Sequence, residues 1–486
     1  MEGQASKSAE SEEADRGVEE QAVDIGRLEP WRVRMIDPVR LLSRRQRLKA
    51  LSSAGWNPFR LPSTDILLDL LTDSGMSALS LAQWAAMLAA DESYAGSPAN
   101  ARFKAALAHI APNLDAVFPV HQGRAAERIL AELLAAPDAL IPSNGHFFTT
   151  RLNLQHRGIT PLDLACSEAD DPASAFPFKG NMNLDRLRAL LESPQAGRIP
   201  AVFLSITNNV CGGQPVALAN IAAVRALCTR HGKLLLLDAC RFAENAMLLK
   251  LREEGLAKLP VLDIVRRVFA LADGLWLSGK KDACCSTGGC LALNAAAFGP
   301  RRLGQLQQLI LMGEGAPSYG GLAARDLDAM AVGLRQGLDE AFLRHRIASL
   351  QDLANQLATL GVPVYQPVAG SSIFLDAGRL LPHLQAAQFP GLSLANALYV
   401  AGGIRTADSG SFLLGSAARA EYTRLCFPRR LFTTGHIDLV PATFRRILPL
   451  LHTCPGFRLI GEAADPPLRF YTASLAPLQP SSFFDS

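Results

Sequence analysis

The stretch KLLLLDACR, residues 233–241, places four consecutive leucines directly before an aspartate. A short apolar run that ends at a charged residue is typical of a strand buried on both faces of a sheet. Similar runs occupy residues 201–206 (AVFLSI) and 274–277 (GLWL), and residues 218–231 have helical periodicity. Strands that alternate with helices predict an α/β fold built on a mixed, mostly parallel sheet.

Polar residues follow each of these strands. Asn209 comes after the first, Asp238 ends the second, and the third runs into Ser278, Lys280 and Lys281. The carboxyl ends of parallel strands meet at one edge, which is where open α/β sheets bind their ligands. We therefore expect these side chains to form a single site.

The composition of the chain narrows the classes of function. Its 486 residues are 49% hydrophobic, and 48 basic against 45 acidic side chains give a net charge of +3. This balance argues against a nucleic-acid partner, which would require a basic patch. No apolar run approaches the roughly 20 residues of a membrane helix, and the N-terminus lacks a signal-peptide pattern. We expect a cytoplasmic protein without a membrane partner, whose nine cysteines are reduced, buried thiols.

Changes in composition along the chain predict four regions. Residues 1–28 are acidic and predict a disordered tail. Residues 29–75 are interpreted as an N-terminal arm and part of a small domain, 76–334 as a large domain, and 335–486 as the rest of a smaller α+β domain. Helical periodicity predicts helices at 45–51, 79–90, 125–134, within 334–360 and near 442–451.

Asp238 and Lys281 together suggest a particular cofactor. A carboxylate that can pair with a protonated pyridine nitrogen, upstream of a lysine that can form a Schiff base, is what pyridoxal 5′-phosphate requires. The structural alternatives are a helix N-cap or an ion pair with Arg241 for Asp238, and a solvated lysine pair at the surface. Gln122, Gly123 and Arg124 precede a predicted helix, whose N-terminus would suit the cofactor phosphate, although an ordinary turn explains the same tripeptide.

Eight short motifs then occur in a fixed order. They are Asp73-Ser74-Gly75, Asp91-Glu92-Ser93-Tyr94-Ala95-Gly96-Ser97, His121-Gln122-Gly123-Arg124, Gly212-Gly213-Gln214-Pro215-Val216, Asp238-Ala239-Cys240-Arg241, Ser278-Gly279-Lys280-Lys281-Asp282, Pro317-Ser318-Tyr319-Gly320-Gly321 and Arg424-Leu425-Cys426-Phe427-Pro428-Arg429-Arg430. The set resembles the β-eliminating lyases, the family of tryptophanases and tyrosine phenol-lyases, over residues 29–473, and is closer to the tryptophanases.

The resemblance implies the aspartate aminotransferase fold, fold type I, and a pyridoxal-phosphate enzyme that forms a homodimer or homotetramer. It implies that Lys281 binds the cofactor and removes the substrate α-proton, that Asp238 holds the ring nitrogen, and that Tyr94 protonates a carbon leaving group. The remaining cofactor-binding positions that it implies are Gln122, Gly123, Arg124, Phe147, Asn209, Arg241, Ser278 and Lys280. A potassium ion would be held by the Glu92 side chain and the carbonyls of Gly75 and Ser286.

The resemblance also implies that the substrate is a β-substituted amino acid, whose carboxylate Arg424 would bind bidentately. The implied substrate contacts are Arg424, Thr72, Phe148, Ser409 and Phe470. Phe148 and Ser409 depart from the polar leaving-group contacts of both branches, and Phe470 is the residue type of the phenol branch. An apolar pocket favours tryptophan, with S-substituted cysteine or tyrosine as alternatives. Core packing of the two phenylalanines, and a catalytically idle binding homologue, are the non-catalytic alternatives.

Overall fold

A seven-stranded sheet forms the centre of the larger domain. The computed structural model describes residues 27–33, 35–461, 465, 468–479 and 482–485. The predicted acidic tail therefore lies outside the described residues, apart from residues 27 and 28. The described strands are β1 (Leu68–Asp69), β2 (Ala116–Val120), β3 (Leu140–Ser143), β4 (Thr160–Asp163), β5 (Ala201–Ser205), β6 (Leu234–Asp238), β7 (Gly274–Ser278), β8 (Gly289–Leu293), β9 (Ser372–Asp376), β10 (Ile404–Arg405), β11 (Ala407–Asp408), β12 (Tyr422–Cys426), β13 (Phe457–Ile460) and β14 (Ser474–Pro477).

The large sheet is mixed and mostly parallel, as the sequence predicts. Its strand order is β2-β8-β7-β6-β5-β3-β4. Only β8 runs antiparallel to its neighbours, β2 and β7. Strands β7, β6, β5 and β3 are parallel neighbours, so the segments that follow them leave the sheet at the same edge.

Helices cover both faces of this sheet. Along β6, Leu235 and Leu237 belong to one apolar core, whereas Leu236 belongs to the core on the opposite face. This alternation explains why the strand is leucine throughout: each of its faces is buried. The larger-domain helices are Leu81–Leu88, Pro98–Ile110, Gly123–Leu133, Phe148–His156, Leu184–Leu191, Leu218–Arg230, Phe242–Arg252, Val261–Phe269, Ala295–Gly313 and Ala324–Gln336.

The smaller domain combines both ends of the described chain. Strands β11, β12 and β9 form an antiparallel sheet, β13 pairs with β14, and β1 from the N-terminal region pairs with β10. Helix Glu340–Thr359 contributes Phe342 to the large core and Leu353 to the small one, so it bridges the two domains. The domain limits given by the sequence remain predictions. The other described helices are Arg44–Ser53, Ala377–Leu380, Pro390–Gly402, Ser411–Leu414, Thr434–Ile437, Leu439–Ile447, Leu468–Thr472 and Ser482–Asp485.

The predicted strands and helices lie where the sequence places them, within a few residues at each end. All nine cysteines are buried and free, in agreement with the prediction of buried thiols. Among the described helices, none is long and apolar enough to cross a membrane.

Helix Ala324–Gln336 packs closely against the loop that follows Lys281. A Cβ on Gly333, in helix Ala324–Gln336, would lie 1.9 Å from the carbonyl oxygen of Ala283. We expect Gly333→Ala to destabilise the protein by about 2–3 kcal/mol through overpacking. Calorimetric unfolding should show a clear fall in Tm.

Gly304 provides the matched control, since it lies in helix Ala295–Gly313 with nothing within 4 Å of an added Cβ. Gly304→Ala should leave Tm unchanged or raise it, because alanine favours the helix. Equal Tm values for the two variants would contradict this account of the packing.

Candidate active site

The carboxyl edge of the large sheet brings together the residues that the strands carry. Phe147 follows β3, Asn209 follows β5, Asp238 ends β6, and Lys281 follows β7. These four strands are consecutive in the sheet. The residues that end or follow these strands therefore lie along one edge of the sheet.

An anion-binding cup lies at one end of this edge. Helix Gly123–Leu133 begins without a side-chain cap, and N–H groups at a helix N-terminus are favourable donors to an anion. A Cβ on Gly123 would lie 2.9 Å from Cβ of Ser278, so only glycine lets the helix approach β7 this closely. The Ser278 hydroxyl is buried and has no hydrogen-bond partner among the described residues.

Three cationic side chains surround the cup. Lys280 Nζ donates to Oε1 of Gln122 at 3.2 Å. Burial, Lys281 and Arg124 together lower the pKa of Lys280. The three cations repel one another, and a bound phosphate would reduce this repulsion by pairing with them.

Asp238 and Lys281 lie at the carboxyl ends of adjacent strands, β6 and β7. The charges of both side chains affect the pKa of the buried Glu127 and that of Cys240. One oxygen of Asp238 accepts a hydrogen bond from the backbone N–H of Cys240 at 3.2 Å. Arg241 does not pair with Asp238, because its guanidinium binds Asp73 with two hydrogen bonds of 2.8 and 3.0 Å.

A cavity of about 230 Å³ lies between the residues that follow β3 and β5 and those of the small-domain sheet, and its lining includes neither Asp238 nor Lys281. Five of the predicted ligand residues line it: Phe147, Phe148, Asn209, Ser409 and Arg424. Arg424 Nη1 donates to Oδ1 of Asn209 at 3.4 Å, while its buried Nε has no partner among the described residues. A guanidinium with a free donor at a cavity can bind a carboxylate.

Three predicted residues lie elsewhere in this chain. Tyr94 is 73% exposed, its ring lies 5.3 Å from that of Tyr319, and the interaction with Tyr319 raises the pKa of Tyr94. The Glu92 carboxylate binds Arg325 at 3.0 Å in an exposed ion pair. Phe470 is a correction to the predicted cavity wall: it packs in the small-domain core, with its ring 4.8 Å from that of Phe59.

The other two positions of the predicted cation site are neighbours. Gly75 has a positive φ, and a Cβ on it would lie 3.3 Å from the carbonyl oxygen of Ser286. Its N–H donates to the carbonyl of Lys280, which fixes this turn against the lysine pair. Close by, the Thr72 hydroxyl accepts from the N–H of Ser74 at 3.1 Å.

Comparison with known proteins settles the family. A model of the beta-eliminating lyase family matches residues 69–432. A tryptophanase of Salinibacter ruber is 46% identical over 94% of this chain and 96% of its own length. A tyrosine phenol-lyase of Intrasporangium calvum is 40% identical over 93% of this chain and 95% of its own. The chain belongs to the β-eliminating lyase family.

Solved structures confirm the predicted fold of this lyase. A threonine aldolase from Leishmania major matches with a TM-score of 0.56 at 16% identity, covering 79% of this chain and all of its own. An aspartate aminotransferase from Thermus thermophilus gives 0.54 at 13%, with 85% and 97% covered. The lyase therefore has fold type I, and its family membership makes it a pyridoxal-phosphate-dependent carbon–carbon lyase.

The residues present fit this cofactor. The cup has the helix N-terminus, the cations and the unpartnered Ser278 hydroxyl that a phosphate needs. Asp238, on the neighbouring strand, offers a carboxylate for a ring nitrogen. The Phe147 ring lies in the cavity wall, 4.5 Å from that of Phe148 and tilted by 55°.

A buried network of six charges supports the lyase site from below. Its carboxylates are Asp73, Glu244 and Asp282, and its guanidiniums are Arg241, Arg346 and Arg429. Burial raises the pKa of Asp73, but Arg241 and Arg429 outweigh it and hold that pKa well below its usual value. Burial raises the pKa of Asp282 to about 6.

Sequence reasoning missed this network, although one signal for it was present. Glu244 and Arg346 each interrupt the apolar stripe of a helix, Phe242–Arg252 and Glu340–Thr359 respectively. A charge on a buried stripe requires a buried partner of opposite sign. That signal indicates that partners exist without saying which residues they are.

Arg429 allows a test of the network. It binds Asp73, Glu244 and Asp282 at 3.1, 2.6 and 2.7 Å. We expect Arg429→Met to destabilise the lyase by about 3–5 kcal/mol, because it leaves three buried carboxylates with two guanidiniums. Thermal unfolding measures the effect.

Arg188→Met is the control, since Arg188 forms an exposed ion pair with Asp185. Its loss should cost at most about 1 kcal/mol. A Tm for Arg429→Met as high as that of the control would show that the network does not stabilise the fold.

Proposed function

We propose that this lyase cleaves L-tryptophan to indole, pyruvate and ammonium. The observation that carries the proposal is the cavity wall, where Phe148 and Ser409 stand beside Arg424. The wall is mixed: Phe148, Leu413 and Leu414 give a flat indole ring an apolar surface, and His146, Asp163 and Tyr422 add polar groups. The names of the relatives point the same way: three proteins called tryptophanase are 44–46% identical and one called probable tryptophanase is 40% identical, against 37–40% for those called tyrosine phenol-lyase.

The residues of the cup would hold the cofactor phosphate: Gln122, Gly123, Arg124, Ser278 and Lys280. Lys281 would bind the cofactor covalently, Asp238 would hold its ring nitrogen, and Phe147 would stack on the ring. Asn209 and Arg241 would lie near the ring hydroxyl. When bound, pyridoxal phosphate supplies the electron sink that makes the substrate α-proton acidic.

The chain's own residues would carry the proton transfers. Arg424 would bind the substrate carboxylate and orient the α-hydrogen toward Lys281, whose amine would remove that proton. Indole leaves poorly as an anion, so an acid must protonate its ring carbon as the bond breaks. Tyr94 would supply this proton from its hydroxyl.

We propose a homodimer or larger homo-oligomer in which Tyr94 serves the site of a neighbouring subunit. Its exposed position beside Tyr319 supports this, as does the exposure of apolar arm residues such as Met35 and Ile36, at 70% and 87%. We also propose a potassium ion at the carbonyls of Gly75 and Ser286. Glu92, near Tyr94 in the chain, would complete that cation site from the same neighbouring subunit.

A substrate panel tests the proposed reaction. Pyruvate release from tryptophan should exceed release from tyrosine and from S-substituted cysteines, in potassium buffer more than in sodium buffer. Lys281→Ala should release none and lack the yellow absorption of the loaded enzyme. A preference for tyrosine, or for S-substituted cysteines alone, would exclude the tryptophan proposal, and wild-type protein that stays colourless with cofactor would exclude the enzyme.

Substitution of Tyr94 tests its role as the acid. Tyr94→Phe should slow tryptophan cleavage roughly 100-fold or more, the usual contribution of a general acid. Elimination of a thiolate from S-alkylcysteines should change little, because a thiolate departs without protonation. Equal losses for the two substrate classes would exclude Tyr94 as the acid.

Co-expression of Tyr94→Phe with Lys281→Ala tests where Tyr94 acts. If each site takes its lysine and its tyrosine from different subunits, mixed dimers contain one intact site and should restore about a quarter of wild-type activity. No restoration would place both residues in one subunit.

A further inference from the structure

A buried carboxyl group without an assigned role lies in the helix that begins at the phosphate cup. Glu127 stands one helical turn after Gly123 in helix Gly123–Leu133, so it faces the same side of the helix as the phosphate cup. It is only 8% exposed. Neither the phosphate contacts nor the proton transfers described above use it.

The contacts of Glu127 are incomplete. Its Oε1 accepts a hydrogen bond from the hydroxyl of Thr150 at 3.0 Å. Its Oε2 is buried and has no hydrogen-bond partner among the described residues. A buried ionised carboxylate with one free oxygen is costly, whereas a protonated carboxyl can donate through that oxygen.

The charges around Glu127 are those of the active site. Asp238 reaches it from the end of β6 and Lys281 from the loop after β7, and the thiol of Cys240 lies in the same field. Burial and the negative charge of Asp238 raise the pKa of Glu127 to about 7, against smaller opposing effects of Thr149, Thr150 and Lys281. Glu127 therefore changes charge near neutral pH, beside the acid that would hold the ring nitrogen.

We propose that Glu127 is a positioning residue for Asp238, a second carboxyl group whose proton sets how much negative charge faces the cofactor ring. This inference rests on the proposed function, in which Asp238 holds the ring nitrogen. When Glu127 is neutral, it adds no negative charge to that of Asp238. When it ionises, a second negative charge stabilises cationic forms of the ring nitrogen and of its linkage to Lys281.

The experiment is a spectrophotometric pH titration of the holoenzyme without substrate. The absorption band of bound pyridoxal phosphate changes when the linkage to Lys281 loses its proton, and the midpoint of that change is measured. Glu127→Gln keeps the size of the side chain but carries no charge. We expect it to lower the midpoint by roughly one pH unit, the effect of one nearby charge in a partly shielded site.

Two further variants sharpen the test. Thr150→Val keeps the shape of Thr150 but removes the hydrogen bond that favours the ionised Glu127, so its midpoint should fall between those of wild type and Glu127→Gln. Glu132→Gln is the control, because Glu132 lies on the same helix but pairs with Arg157 near the surface. Its midpoint should equal that of wild type. If Glu127→Gln does not fold, Thr150→Val decides the result alone.

The outcomes separate this inference from the function on which it rests. If Asp238→Asn changes the band while Glu127→Gln and Thr150→Val leave the midpoint at the wild-type value, the role of Glu127 is refuted and the proposed function stands. If Asp238→Asn also leaves the band unchanged, both are refuted. A graded fall from wild type through Thr150→Val to Glu127→Gln supports the proposal.

Discussion

The six-charge network beneath Lys281 is the constraint on which the site geometry depends. Each of its three carboxylates would be costly to bury alone, and each finds a guanidinium in a different part of the chain. Asp282 directly follows Lys281, Asp73 directly follows Thr72, and Arg429 lies five residues after Arg424. Satisfying these charges therefore fixes the lysine loop, the N-terminal turn and the substrate-binding strand relative to one another. The network therefore holds Lys281 of the large domain and Arg424 of the small domain at a fixed separation.

Positive and negative side chains lie at opposite ends of the site. Cations gather at the cup, where Lys280, Arg124 and the helix N-terminus face one another, while Asp238 and Glu127 form the acidic end. A ligand with a phosphate at one end and a basic ring nitrogen at the other can bind in only one orientation. Helix Gly123–Leu133 contributes to both ends, since its first residue touches the cup and its second turn carries Glu127.

Much of the fold could be predicted from the sequence because it depends on local patterns. The leucine run of β6 and the helix after β5 are recognisable from their hydrophobic patterns. Because the carboxyl ends of parallel strands meet at one edge of a sheet, Asn209, Asp238 and Lys281 are expected together. The pairing of Arg241 with Asp73 could not be predicted, because a charge shows that it needs a partner but not which distant residue supplies it. Phe470 was misplaced for a similar reason: the position matches a family contact, but here helix Leu468–Thr472 directs the ring into the small-domain core, and Asn57 donates to its carbonyl.

Specificity for the leaving group depends on the rigidity of the cavity wall as well as on the residues that form it. The wall residue Ser409 follows Asp408, whose buried carboxyl accepts the N–H groups of Gly410 and Leu413 at 3.0 and 2.9 Å. A loop tied to a buried acid in this way cannot easily swing a polar group inward to meet a phenol hydroxyl. A buried hydroxyl without a partner costs about 1–3 kcal/mol, so discrimination against a phenol would depend on whether the polar wall residues His146, Asp163 and Tyr422 can reach its hydroxyl. The apolar wall residues Phe148, Leu413 and Leu414 would distinguish leaving groups mainly by contact area.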